Sequence, residues 1–173
     1  MKKHFSAALL FVCSLFFWSL QAAEVNVNGV FKGANEGGKN SPRWILRADS
    51  TGKIEFVKGE KAPLALKVTA GVKKISCISK VKIPCKSGDK LILSCNSKGK
   101  GTFQFSTFFY NRGKSVSTLH GKKLVLTEKS TQYSQEFTVP AKGEKTHMVM
   151  VIVAHPSTVI TLEDVKAQHE AAK

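Results

Sequence analysis

The stretch Thr102–Tyr110 carries the densest chemistry in this 173-residue chain. Successive side chains of an extended strand point to opposite faces. That alternation puts Phe103, Phe105 and Phe109 on one side and Gln104, Ser106, Phe108 and Tyr110 on the other. The second set mixes aromatic rings with hydrogen-bonding groups. Such a mixture suits sugars, whose apolar faces stack on rings while polar side chains satisfy their hydroxyls. Asn111 and Arg112 follow at the rim, and His147 opens a later apolar run that could lie beside this one. Gln104, Tyr110, Arg112 and His147 are therefore the candidate ligand contacts. The same pattern also describes a partly covered sheet face, with Phe108 and Tyr110 shielding it.

Catalytic constellations are sparse by comparison. Most acids fall at turns or outward positions, and no two pair as the carboxylate dyad of a glycosidase must. His120, His147 and His155 have no nucleophile motif near them. A lyase on a β-sandwich would draw on Tyr, Arg, His and Gln, which Gln104, Tyr110, Arg112 and His147 supply, but the presence of these types is not a motif.

The chain that must position these residues begins with Met1-Lys2-Lys3-His4, an apolar run from Phe5 to Leu20, then Gln21-Ala22-Ala23. A basic start, a compact apolar segment and small residues at a cleavage point are the parts of a secretory signal, expected over residues 1–23. The run is shorter than the roughly 20 apolar residues of a spanning helix, so no stable membrane insertion is expected after cleavage, and the mature protein is expected outside the cell or in its envelope. Cys13 leaves with the leader. Cys77, Cys85 and Cys95 remain, at spacings that match no common zinc pattern. In an oxidising compartment an odd count implies one bridge and one thiol. Cys77 and Cys95 both point inward by alternation, so a Cys77–Cys95 disulfide is expected, with Cys85 free.

Lys+Arg 27 against Asp+Glu 12 gives a formal net charge of +15. Lys2 and Lys3 depart with the leader, which leaves 25 against 12, or +13. The remaining lysines scatter over turns and strand edges, where they discourage edge-to-edge association. Arginine is confined to Arg43, Arg47 and Arg112. A nucleic-acid groove would interleave arginines and aromatics on one face, so no nucleic-acid partner is expected. Weak attraction to polyanions is.

Short alternating segments broken by Gly, Asn, Asp and Pro continue from Val25 to Val165. They are Val25–Phe31, Trp44–Ala48, Lys53–Val57, Leu64–Thr69, Lys74–Ile83, Leu91–Asn96, Thr102–Tyr110, Ser115–Leu126, Gln132–Val139, His147–Ala154 and Thr158–Val165. Ten or eleven strands without an intervening amphipathic helix predict an all-β sandwich or barrel. His147–Ala154 is apolar on both parities, as a central strand covered on both faces would be. Trp44 reads as core. The tail, residues 166–173, reads as helical or frayed, so one domain is expected over 24–165.

The order of these segments resembles a known family. Asn28-Gly29-Val30-Phe31 followed by Trp44, Ser87-Gly88-Asp89-Lys90-Leu91-Ile92-Leu93-Ser94, Tyr133–Pro140 and Thr158–Val165 resemble, in sequence, the conserved segments of secreted carbohydrate-binding modules. These are the cellulose- and xylan-binding jelly rolls of families four, nine and twenty-two, with a galactose-binding-like fold. The likeness covers the whole mature chain. It departs at Val30 and Lys32, where acids are usual, and at Ser130, where a late Trp is usual. It implies a non-catalytic module that holds a polysaccharide or glycan in a sheet-face cleft built on the Thr102–Tyr110 strand and its rim, and the basic charge points to an acidic one. The likeness also implies a structural calcium held by backbone oxygens and by Glu163 or Asp164, since that ion takes several oxygen ligands. The alternative is an adhesion or structural sandwich that binds a protein or envelope partner.

Overall fold

The computed structural model describes residues 22–48 and 50–172. All but the last two residues of the expected leader lie outside them. Thirteen strands follow in order: β1 (Ala23–Val25), β2 (Trp44–Arg47), β3 (Lys53–Lys58), β4 (Leu64–Thr69), β5 (Ile75–Ser79), β6 (Ile83–Pro84), β7 (Lys90–Lys100), β8 (Thr102–Asn111), β9 (Lys114–His120), β10 (Leu124–Val125), β11 (Thr131–Thr138), β12 (His147–Ala154) and β13 (Val159–Glu170). No helix occurs among the described residues.

They form two antiparallel sheets. The first has the order β11-β7-β13-β4-β3, with β1 beside β13. The second has the order β10-β8-β12-β5-β2, with β6 beside β12 and β9 beside β8. Of the sandwich and the barrel that the strand pattern allows, this is the sandwich, and it is the jelly roll that the family resemblance implies. Eleven expected strands become thirteen because two long runs break. Lys74–Ile83 divides into β5 and β6, and Ser115–Leu126 into β9 and β10. The run from Val25 to Phe31 is not a strand beyond Val25. Asn28 and Phe31 both have φ 56°, and the Asn28 side chain clips the turn by accepting from the Lys32 N–H at 2.9 Å and donating to the Lys32 carbonyl at 3.1 Å.

That turn has a packing purpose. It delivers Phe31, fully buried, to Trp44 (ring centroids 5.9 Å) and Phe56 (5.4 Å). Gly29 is required because a β-carbon there would lie 1.6 Å from the Val165 carbonyl oxygen. The backbone N–H of Val165 in turn donates to the Gly29 carbonyl at 3.2 Å. Between the sheets the core continues through Leu66, Ile75, Leu91, Leu93, Phe103, Phe105, Phe109, Met148 and Met150. Trp44 is core as expected, with 3% exposure.

The tail is corrected. Lys166–Glu170 is neither helical nor frayed but the second half of β13, paired with β7 and, at its end, with β1. The alanines favour helix locally, but a register shift between Glu163 and Lys166 turns Val165 and Ala167 inward after Ile160 and Leu162. Buried pairing then outweighs local propensity.

The expected Cys77–Cys95 bridge is also corrected: Cys77, Cys85 and Cys95 are all buried free thiols. Alternation does turn Cys77 and Cys95 inward, but from opposite sheets. Facing sheets pack about 10 Å apart, beyond the usual Cα separation across a disulfide of about 4.4–6.8 Å. Burial pushes both thiols up to about 12, so neither carries an appreciable thiolate fraction at neutral pH.

Candidate functional site

The second sheet has a core face and an outer face, and the outer one carries the candidate residues. Across β8 and β12 the directly opposed pairs are Gln104–Val153, Ser106–Val151, Phe108–Val149 and Tyr110–His147. Opposed pairs share a face. None of these eight belongs to the inter-sheet core, so they project outward. Ile78 lies opposite Val151 and Ile45 opposite Ile78, which extends the apolar surface over β5 and β2. Short valines on the central strand form a floor, and longer side chains on the flanking strands rise around it. A shallow depression of about 290 Å³ results, lined in part by Ile45, Ile78, Tyr110, His147 and Val149, with Lys80 and Lys82 at its margin.

Tyr110 and His147 meet at one end of this face. Their rings stack with centroids 5.1 Å apart and planes within 3°. The Thr146 hydroxyl lies 3.1 Å from His147 Nδ1. Burial first, and the charge of Lys82 second, hold His147 below the ordinary imidazole value, so the ring is neutral near pH 7. One face of each ring is taken by the other, which leaves outer faces and edges for a ligand.

The other two candidates do not join them. Gln104 is on the same face but six residues from Tyr110, about 20 Å along the strand. Arg112 occupies the β8–β9 turn with φ 47°, exposed, and it makes no hydrogen bond or ion pair with a described residue. The four therefore do not converge on one point, as proton abstraction from a bound sugar would require.

Around Gln104 a second polar group assembles that sequence reasoning did not find. Gln104 is 9% exposed and Ser106 fully buried. The Gln104 Nε2 group lies 3.4 Å from Ser106 Oγ, to which it donates, and 3.2 Å from His120 Nδ1. Ser106 Oγ is 3.0 Å from the same His120 nitrogen, and Gln104 Oε1 accepts from His155 Nε2 at 3.1 Å. His120 comes from β9 opposite Ser106, while His155 directly follows β12. Only strand pairing unites them. Their lone signal in the sequence was the alternation that set Gln104 and Ser106 on one face.

Glu163 and Asp164 are placed differently from what a calcium site requires. Glu163 is buried, and its two carboxylate oxygens accept the backbone N–H groups of Glu60 at 2.9 Å and Lys61 at 2.8 Å. Asp164 Oδ2 receives Lys166 Nζ at 3.0 Å and Asn96 Nδ2 at 3.5 Å. The hydrogen-bond and ion-pair partners of both acids are donors, and among the described residues no three His, Cys, Asp or Glu gather as a metal site. These residues do not fit a calcium ion. Glu163 instead ties the β3–β4 connection to β13.

No protein-family model matches the chain, and no curated protein does. Solved structures do match. The arabinose-bound α-L-arabinofuranosidase MgGH51 is 12% identical with a TM-score of 0.62, over 85% of this chain and 26% of that one. The Stig cyclase Fisc from Fischerella sp. TAU, in complex with an indole compound, is 8% identical with a TM-score of 0.61, over 88% and 100%. The CBM22-2 xylan-binding domain from Paenibacillus barcinonensis Xyn10C is 13% identical with a TM-score of 0.54, over 75% and 93%. The chain spans about a quarter of two enzymes it matches, 26% of the arabinofuranosidase and 21% of a bacteriophage CBA120 tailspike domain. At these identities the likeness is one of architecture, and that architecture is the jelly-roll sandwich of carbohydrate-binding modules.

Proposed function

We propose that this chain is an exported, non-catalytic module that binds a polysaccharide or glycan on the outer face of its second sheet. The observation that carries this reading is the stacked Tyr110–His147 pair beside the outward apolar surface of Ile45, Ile78 and Val149. The inter-sheet core is complete without these side chains. Rings beside polar groups on an open face suit the alternating apolar and hydroxylated surfaces of a sugar chain. The resemblance of the CBM22-2 xylan-binding domain in fold supports the same ligand class, and the basic, apolar start of the sequence supports export.

A glycan array followed by affinity electrophoresis tests the proposal. Binding to at least one polysaccharide is expected, weakened about tenfold or more by Tyr110→Ala, equivalent to roughly 1.4 kcal/mol. Circular dichroism would verify that the variant is folded. Absence of binding to every glycan by the folded wild-type protein overturns the reading and favours a protein or envelope partner.

A further inference from the structure

The Gln104–Ser106–His120–His155 cluster has no part in the core. Gln104 is more than nine-tenths buried, yet all its side-chain partners are on the outer face. One arrangement of protons satisfies every contact of the network. If Ser106 donates to His120 Nδ1 while accepting from Gln104, the His120 proton resides on Nε2, the nitrogen without a partner among the described residues. His155 uses Nε2 to donate to Gln104, so its Nδ1 carries a lone pair until the ring takes a second proton, which a bound anion would favour. His120 is exposed and His155 partly so, so a ligand can reach both rings.

The local field is positive. Burial, then the charges of Lys123 and Lys74, hold His155 below the ordinary imidazole value. Both lysines are exposed, one from the β9–β10 connection and one immediately before β5. Lys80 and Lys82 border the opposite end of the same face. A neutral sugar needs no such field, whereas a carboxylate or sulfate gains from an imidazole N–H set among cations.

We infer that the Gln104–His120–His155 cluster, flanked by Lys74 and Lys123, is a subsite for an anionic substituent of an acidic polysaccharide. The inference rests on the carbohydrate-binding reading. It divides one face into two tasks: Tyr110 and His147 hold the sugar ring, and the cluster about 20 Å along β8 selects the charge.

Affinity electrophoresis with two matched pairs tests it: polygalacturonate against its methyl ester, and dextran sulfate against dextran. At least tenfold preference for the charged member of one pair is expected, and the preferred pair distinguishes carboxylate from sulfate. The double variant His120→Asn/His155→Asn is expected to bring that preference near parity while leaving affinity for the neutral polymer unchanged. Tyr110→Ala is expected to weaken both members of the pair equally. Should the preference survive in the double variant, it belongs to the dispersed lysines and the subsite is overturned while carbohydrate binding stands. Equal binding of charged and neutral members by wild type also overturns only the subsite. Retardation by none of the four polymers overturns the subsite, and the glycan array then decides the broader reading separately.

Discussion

Two carboxylates illustrate how single residues hold this sandwich together by satisfying backbone donors. Asp89 is 4% exposed; its oxygens accept from the N–H of Lys86 and of Ala172, each at 2.8 Å, and meet His169 Nε2 at 2.9 Å. Burial acts to raise its pKa, but those two N–H groups and His169 together outweigh it, and the carboxyl stays below its usual range. A depressed folded value means that its stabilisation is complete above the unfolded value of about 3.9 and fades as pH falls through the folded one. Urea titrations from neutrality into acid should show that loss. Asp89→Asn should flatten the slope and cost about 1–3 kcal/mol at neutral pH. Glu163→Ala leaves the Glu60 and Lys61 N–H groups without their acceptor, and we expect a loss of about 2–4 kcal/mol in the same measurement. Chelator should leave the wild-type melting temperature unchanged, because the surroundings of Glu163 and Asp164 are donors.

At the scale of elements, β4 and β12 have the predicted boundaries because their apolar runs end abruptly at Pro, Gly or charged residues. The inward faces of β5, β7 and β8 follow from alternation alone. Alternation fails where pairing is not local. Lys166–Glu170 resembles helix in isolation, and only the neighbouring β7 and β1 make it a strand. The thiols show the same limit: alternation turns two side chains inward but does not measure the space between two sheets. Ending the chain after Val165 would remove the β1 partner, half of the β13–β7 ladder and both Ala172 and His169 from Asp89. Such a truncation is expected to lose at least about 3 kcal/mol of a typical 5–15 kcal/mol, read as a lower urea midpoint.

Over the whole molecule, 27 basic residues against 12 acidic ones leave like charges facing one another across a small surface. Screening should therefore stabilise the fold: raising salt from very low to about 0.15 M, where the Debye length is about 8 Å, should raise the melting temperature. The candidate site was half legible at this scale. Tyr110 and His147 were placed by type and order, and the structure brings their rings together. His120 and His155 were not, because their meeting at Gln104 depends on β9 and β12 flanking β8, an arrangement that no spacing along the chain encodes. Arg112 drew notice for its chemistry alone and lies in an exposed turn. The pairing of β13 has a kinetic corollary. This strand occupies the middle of the first sheet, with β7 and β4 on its two sides and β1 at its end. The sheet cannot close until Val159–Glu170 has been synthesised, so the chain must wait, unfolded, for its own late segment. A topology so rich in distant pairings folds slowly, and slow closure lengthens the time the polypeptide spends extended, with its strand edges unpaired.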